Sequence, residues 1–237
     1  MNQKSKILME IENYKEGVII RRINRFVVKA KIKNKVVLAH LNNTGRLEEL
    51  VKEGNVGLFL PIDKSKKLKF RLSMIKEKKN IFSIIDTSLQ MKAFEVALKK
   101  NYISWFKGAE ILRRNFRIND SLIDYLIEYK NKKYIVEVKS AVMKRRNFAM
   151  YPDCPSIRGQ RHIKELINNP TNSIILFIAA MKNINAFSPN KEADTKIYEL
   201  LKTAKRKGVK IKAIQIYFDK SINSIILKND ELPVNLS

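Results

Sequence analysis

Three side chains in SLIDYLIEYKNKKYIVEVKS, residues 121–140, have types and spacings that suit chemistry on a phosphate: Asp124, Glu137 and Lys139. Two apolar runs flank Lys130-Asn131-Lys132-Lys133, the pattern of a β-hairpin. Side chains alternate faces along a strand, so Glu137 and Lys139, two positions apart, share one face. If Lys130 and Asn131 form the loop, Tyr129 pairs with Lys132, and counting back along both strands sets Asp124 opposite Glu137. Directly opposed residues hold their Cβ atoms about 4.5–5.5 Å apart. Two carboxylates that close repel unless a proton or a cation joins them. A hard divalent ion, Mg²⁺ or Mn²⁺, meets that need; Mg²⁺ usually takes one or two carboxylates and keeps several waters. Such an ion activates a water and neutralises charge on a phosphate, and Lys139 would position that water or stabilise the developing charge. The same residues also fit a plainer arrangement, with both acids facing solvent and Lys139 paired to one of them. A different loop register would part the acids altogether.

A hairpin needs a sheet to hold it, and the chain supplies two sets of strands. Residues 17 to 86 read as short strands: 17–25, 26–35, 36–40, 56–60, 69–75 and 81–86, with Phe26, Val28, Ala30 and Ile32 alternating against Val27, Lys29, Lys31 and Lys33. Asn43-Thr44-Gly45 opens an expected short helix from Arg46 to Lys52. Short strands with one small helix fit a compact barrel, and the OB-fold is the natural candidate. From Ser88 to Lys100 the apolar period becomes helical. Strands follow at 109–117, 122–129 and 134–142, a helix at 156–168, a buried strand at 174–181, a helix at 191–207 and strands at 209–218 and 222–227. That order describes a mixed α/β domain. The expected division is an OB-fold-like nucleic-acid-binding domain over 1–87 and the α/β domain over 88–237.

Composition narrows the function. The chain has 237 residues, with 48 Lys and Arg against 23 Asp and Glu, for a formal charge of +25. Positive charge on that scale repels itself, and a polyanion relieves the repulsion. Nucleic acid is the commonest such partner, because its phosphates reward Lys and Arg through counterion release. A lysine-rich solvated surface is the alternative. The single cysteine, Cys154, excludes a disulfide framework and a cysteine-rich zinc site; it is expected to be a small buried residue. Ile174 to Met181 is the longest unbroken apolar run, far short of the ~20 residues of a membrane span. The N-terminus lacks the apolar stretch of a signal peptide. The expectation is a cytoplasmic protein with no membrane partner; the oligomeric state is left open, with a homodimer among the options.

Other residues suit a polyanion. Asn43, Thr44 and Arg46 surround Gly45 in a polar turn whose amides could hold an anion, although Thr44 as an ordinary helix cap explains it equally. Arg158 and Gln160 begin a helix, where phosphate contacts are favoured, and Arg158 shares a face with His162 four residues on. His162 and His40 read as structural, hydrogen-bonded histidines. The basic runs 64–67, 76–79, 144–146 and 205–207 read singly as solvated surface. Lys144, Arg145 and Arg146 stand out among them because they directly follow the hairpin, and Phe70, Phe148 and Tyr151 could stack on bases.

The Asp…Glu-x-Lys arrangement across a hairpin resembles the core of the PD-(D/E)xK nuclease superfamily. The wider order of HLNNTGR (40–46), DTSL (86–89), SLIDYLI (121–127), VEVKS (136–140), YPDCPSIRGQRHIKEL (151–166) and ILFIAAM (175–181) resembles the sugar fermentation stimulation protein A family over about residues 17 to 227. The resemblance implies an N-terminal OB-fold, a C-terminal PD-(D/E)xK nuclease-like domain and DNA, single- or double-stranded, as partner. It implies Asp124 and Glu137 as metal ligands and Lys139 as the catalytic lysine. It adds Glu95 as a further or water-mediated ligand from the preceding helix. Leu41 and Asn42 replace the Cys and Pro common in that family, and Leu122 and Ile123 stand where it often has Arg and Phe. The resulting expectation is a Mg²⁺-dependent nuclease that hydrolyses DNA with little sequence preference. The alternatives are a non-catalytic DNA-binding or regulatory protein of sugar metabolism that keeps the fold, and an RNA-binding module.

Overall fold

The computed structural model describes residues 6–62 and 68–236; the basic run at 64–67 lies outside them. After β1 (Lys6–Glu10) come β2 (Lys15–Asn24), β3 (Val27–Ile32), β4 (Lys35–Leu41), β5 (Val56–Pro61) and β6 (Phe70–Lys78). Antiparallel pairing links β4 to β3, β3 to β2, β2 to β5 and β5 to β6, and a parallel pairing of β4 with β6 closes the ring. Period-2 alternation drives the closure. Val28, Ala30 and Ile32 point into the barrel, whereas Phe26, just before β3, is half-exposed. This is the five-stranded OB barrel that the strand spacing predicts.

β7 (Ile81–Ile84) leaves the barrel and pairs with both β6 and β15 (Lys210–Asp219), so the barrel runs into a second sheet. The elements between are α1 (Thr87–Lys99), a 3₁₀ turn at Ser104–Phe106, β8 (Glu110–Ile118), β9 (Ser121–Tyr129), β10 (Lys132–Ser140), β11 (Met143–Arg145), β12 (Phe148–Tyr151), α2 (Ile157–Asn168), β13 (Ser173–Ala179), β14 (Ala186–Pro189) and α3 (Thr195–Arg206). β16 (Ser224–Asn229) follows β15. β8, β9 and β10 form an antiparallel meander; β10, β13 and β15 then run parallel. Every residue of β13 is buried, as a parallel strand covered on both faces requires. Each fully buried Ile, Leu or Phe of that strand contributes about 1.5–3 kcal/mol.

α1 and α2 cover opposite faces of this sheet. Phe94 of α1 packs edge-on against Tyr125 at 5.7 Å, and Gln90 donates to Ser140 Oγ at 2.9 Å. Tyr125 and Ser140 therefore face α1, and their strand neighbours Asp124 and Lys139 face the α2 side. Asp86 caps α1 by accepting from Ser88 N–H, and also accepts from Asn42 and Arg71 of the barrel.

One local expectation is corrected. Arg46 to Lys52 is a series of turns, not a helix. Leu47 adopts φ +53° and its N–H donates to Asp153 Oδ2 at 2.9 Å, a contact across 106 positions that no local pattern encodes. Residues 143 to 151 form the β11–β12 hairpin, whose second strand pairs in parallel with β14 to make a small second sheet.

Candidate active site

Lys130 and Asn131 turn the β9–β10 hairpin with φ of +51° and +57°, the left-handed pair of a two-residue turn. Tyr129 pairs with Lys132, and the register continues without a slip to Tyr125 opposite Val136. The next pair would be Asp124 and Glu137, and there the regular ladder stops. Asp124 N–H points to Glu137 Oε2 at 3.4 Å, and Val138 N–H donates to Asp124 Oδ2 at 2.8 Å. Side-chain carboxylates thus take the place of ladder carbonyls, and the two acids meet in the gap.

Glu137 is 2% exposed, and one oxygen carries most of its contacts. Lys139 Nζ donates to Oε1 at 2.5 Å, and His162 Nδ1 bonds the same oxygen from α2. Arg158 Nε lies 3.5 Å from His162 Nε2; because arginine only donates, this contact assigns the ring proton to Nδ1. Burial pushes the Glu137 carboxyl up, but the Lys139 ammonium and the His162 bond outweigh it and leave it below the ordinary carboxylate range. Burial likewise works against the Lys139 charge, and Glu137 reverses that too, so the ammonium is held above its usual value. Asp124 behaves differently. Burial first, then the neighbouring Glu137 charge, raise it to about 7, against a smaller pull from Lys139 and Val138 N–H. One acid is therefore held ionised and the other competes for a proton near neutrality, a state that a cation relieves.

The donor set suits a hard divalent ion. Among the described residues no three His, Cys, Asp or Glu side chains form a ready-made metal cluster, so two carboxylates are what the site offers. Asp124 Oδ1 makes no hydrogen bond to a described residue, which leaves its lone pairs open. Two carboxylates with open lone pairs match an ion that keeps several waters.

Glu95 does not join the pair. Its oxygens accept from Arg114 at 2.6 and 2.7 Å and from Tyr125 Oη at 2.9 Å, all on the α1 face, behind the sheet from Asp124. Helical period marks which residues share a face of α1 but not which face of the sheet α1 covers. Gln160 is also elsewhere: its amide donates to Asp194, the cap of α3, at 3.0 Å. Asn43 is buried, donates to Ile85 O and accepts from Gly45 N–H, so it shapes its turn and is not open to a ligand. Thr44 and Arg46 are exposed, and Arg22 and Arg25 hold the loop by donating to the carbonyls of 44–46. Arg46 and Lys144 line one cavity of about 240 Å³ between this loop and β11, with Leu47, Met143 and Asp153. Arg145 forms a bidentate pair with Glu192 at 2.7 Å, and Arg146 sits at the tip of its hairpin. Tyr151 packs on Phe177 at 5.6 Å and is not available for base stacking. Cys154 is half-buried. Arg158 does reach the site, through His162. Sequence reasoning undervalues His162, which is hydrogen-bonded as expected but to the central carboxylate. The i, i+4 spacing of Arg158 and His162 is the one available signal.

Known proteins agree with this architecture. The model described as SfsA N-terminal OB domain matches residues 20–84, and the one described as sugar fermentation stimulation protein RE domain matches residues 88–221. Sugar fermentation stimulation protein homologs from Archaeoglobus fulgidus and Pyrococcus furiosus are 42% and 40% identical over 230 and 232 residues. Those alignments span 96% and 97% of this chain and 98% and 99% of the relatives. The solved structure of Pyrococcus furiosus SfsA in complex with Ca²⁺ superposes with a TM-score of 0.92, covering 97% of this chain and 99% of that one at 40% identity. With both halves matched in order and relatives aligned almost end to end, the chain belongs to the sugar fermentation stimulation protein A family.

Proposed function

We propose that this protein binds DNA and hydrolyses its phosphodiester bonds at the Asp124–Glu137–Lys139 site with Mg²⁺ or Mn²⁺. The observation that carries the reading is the interruption of the β9–β10 ladder where the buried Glu137 and the half-buried Asp124 carboxylates converge, with the half-buried Lys139 ammonium beside them. The Ca²⁺ bound by the Pyrococcus furiosus relative supports an oxygen-ligand divalent site in this fold. The charge of +25 supports a polyanionic substrate.

Asp124 and Glu137 would hold the ion. When bound, such an ion supplies a water of lowered pKa and neutralises charge on the attacked phosphate. The chain's own residues prepare the place. Lys139 stays charged because the ionised Glu137 beside it favours the ammonium, which has three donors; one goes to Glu137, leaving others for a water or a phosphate oxygen. His162 fixes the Glu137 carboxylate from α2, and Arg158 orders His162. The low exposure of Glu137 and Lys139 strengthens each of these electrostatic contacts.

The test is a cleavage assay on single- and double-stranded DNA and RNA, with and without Mg²⁺ or Mn²⁺, beside Glu137→Ala and Lys139→Ala. Metal-dependent DNA cleavage that both variants lose while still binding DNA is the expected result. Salt-sensitive binding with no cleavage in any metal would instead make this a DNA-binding protein that keeps the fold, and a preference for RNA would redirect the substrate.

A further inference from the structure

We infer that β8, the outermost strand of the second sheet, is the track for the DNA backbone at the carboxylate pair, with Arg113 and Arg117 as its phosphate contacts. The inference rests on the nuclease reading above and adds the residues that position the substrate strand.

The sheet order ends at β8, so one backbone edge of this strand is open. Its register against β9 shifts between Ile111 and Arg113, which makes Leu112 an extra, exposed residue. Before the bulge Ile111 lies opposite Ile127, on the core side. After it, Arg113 lies opposite Leu126, Arg114 opposite Tyr125 and Arg117 opposite Leu122. Opposed residues point to the same face, and Leu122 and Leu126 share the face of Asp124. Arg113 and Arg117 therefore stand on the Asp124 face, and Asn115 between them takes a left-handed φ of +49°. Arg114, Phe116 and Ile118 point to the other face, where Arg114 pairs with Glu95 and Phe116 and Ile118 pack on the core. Were Leu112 paired regularly with Leu126 instead of bulged, the sorting would reverse, with Arg114 on the Asp124 face and Arg113 behind it. Bulges beside active sites re-aim side chains in this way.

Arg113, Asn115 and Arg117 are all exposed, and neither arginine forms an ion pair among the described residues. At about 3.4 Å per residue, the two arginines lie about 14 Å apart along the strand, opposite the β9 residues that flank Asp124, which spans about four nucleotides of one DNA strand. α2 provides the facing wall. Glu165 accepts from Asn119 in the β8–β9 turn at 2.6 Å, and Arg161, one turn earlier on the same stripe of α2, is exposed. Exposed cations thus stand on both elements beside the Asp124 strand, Arg113 and Arg117 on β8 and Arg161 on α2. Cations on an edge strand also block edge-to-edge pairing, and the measurement below separates the two roles.

The full-length protein would be titrated against a labelled DNA duplex and the matching single strand in EDTA, at a series of salt concentrations. Arg113→Gln and Arg117→Gln are each expected to lower the slope of log K against log salt by about 0.9 on duplex and about 0.7 on single strand, and the double variant by twice that. Arg114→Gln makes the same charge change on the opposite face and is expected to leave the slope at the wild-type value. Arg113→Lys is expected to restore it. Edge protection alone would change aggregation and leave every slope alike. Equal slopes for all variants, with the wild type still binding and cleaving DNA, would overturn the track and spare the nuclease reading. No binding of the wild type to either DNA would overturn both.

Discussion

Replacing Asp124 with asparagine should make the metal-free protein more stable, and increasingly so as pH rises. The Asp124 carboxyl is raised from 3.8 to about 7. Sign follows from linkage: the unfolded chain gives up this proton near its ordinary value, whereas the folded chain holds it until about 7, so folding loses stability as pH climbs between the two. Each pH unit across that interval costs about 1.36 kcal/mol, so the loss approaches about 4 kcal/mol by pH 8 and is below about 1 kcal/mol at pH 4. Asparagine stays neutral and escapes it, and its carbonyl can still accept from Val138 N–H. The figure is an upper one because the amide must also be buried. Paired urea melts of the wild type and Asp124→Asn at pH 4 and pH 8, in EDTA, measure the difference directly. Adding Mg²⁺ at pH 8 should raise the wild-type midpoint and leave the variant unmoved. A variant that is less stable than the wild type at pH 8, or a difference that does not grow with pH, would refute the buried-acid reasoning.

Three further outcomes follow from the same geometry. Below about pH 7 a proton on Asp124 competes with the ion, so Mn²⁺ affinity by calorimetry should fall up to tenfold per pH unit and level off above pH 7. His162→Ala removes a buried hydrogen bond to Glu137 and should cost about 1.5–3 kcal/mol in urea melts and reduce cleavage, whereas an unchanged melt would mean that the contact is idle. Gly45→Ala would set a Cβ 2.5 Å from Asp153 Oδ2, which is already engaged by Leu47 N–H; the expected loss is about 1–3 kcal/mol in thermal or urea unfolding.

What could be read from residues alone was whatever local periodicity encodes. A two-residue turn at Lys130-Asn131 sets the β9–β10 register, and period-2 alternation then puts Asp124, Glu137 and Lys139 on one face. The barrel strands followed from the same alternation. Contacts between distant segments were out of reach. Glu95 lies on α1, and only tertiary packing decides that α1 covers the face opposite Asp124. His162 reaches Glu137 across 25 positions, and Gln160 reaches Asp194 across 34. The turn at 43–47 took a non-helical path because Asp153, far along the chain, holds Leu47 N–H. The β8 bulge leaves no mark in the sequence beyond a leucine among arginines, yet it determines which of those arginines share the face of the acids.

Diffraction from a crystal soaked in Mn²⁺, recorded at the manganese absorption edge, tests the central claim most directly. The expected result is an anomalous peak between the carboxylates of Asp124 and Glu137, within bonding distance of both, that vanishes in Asp124→Asn. Contradiction would be a map with no peak there, or a peak bound elsewhere, while Lys139 and His162 keep their hold on Glu137.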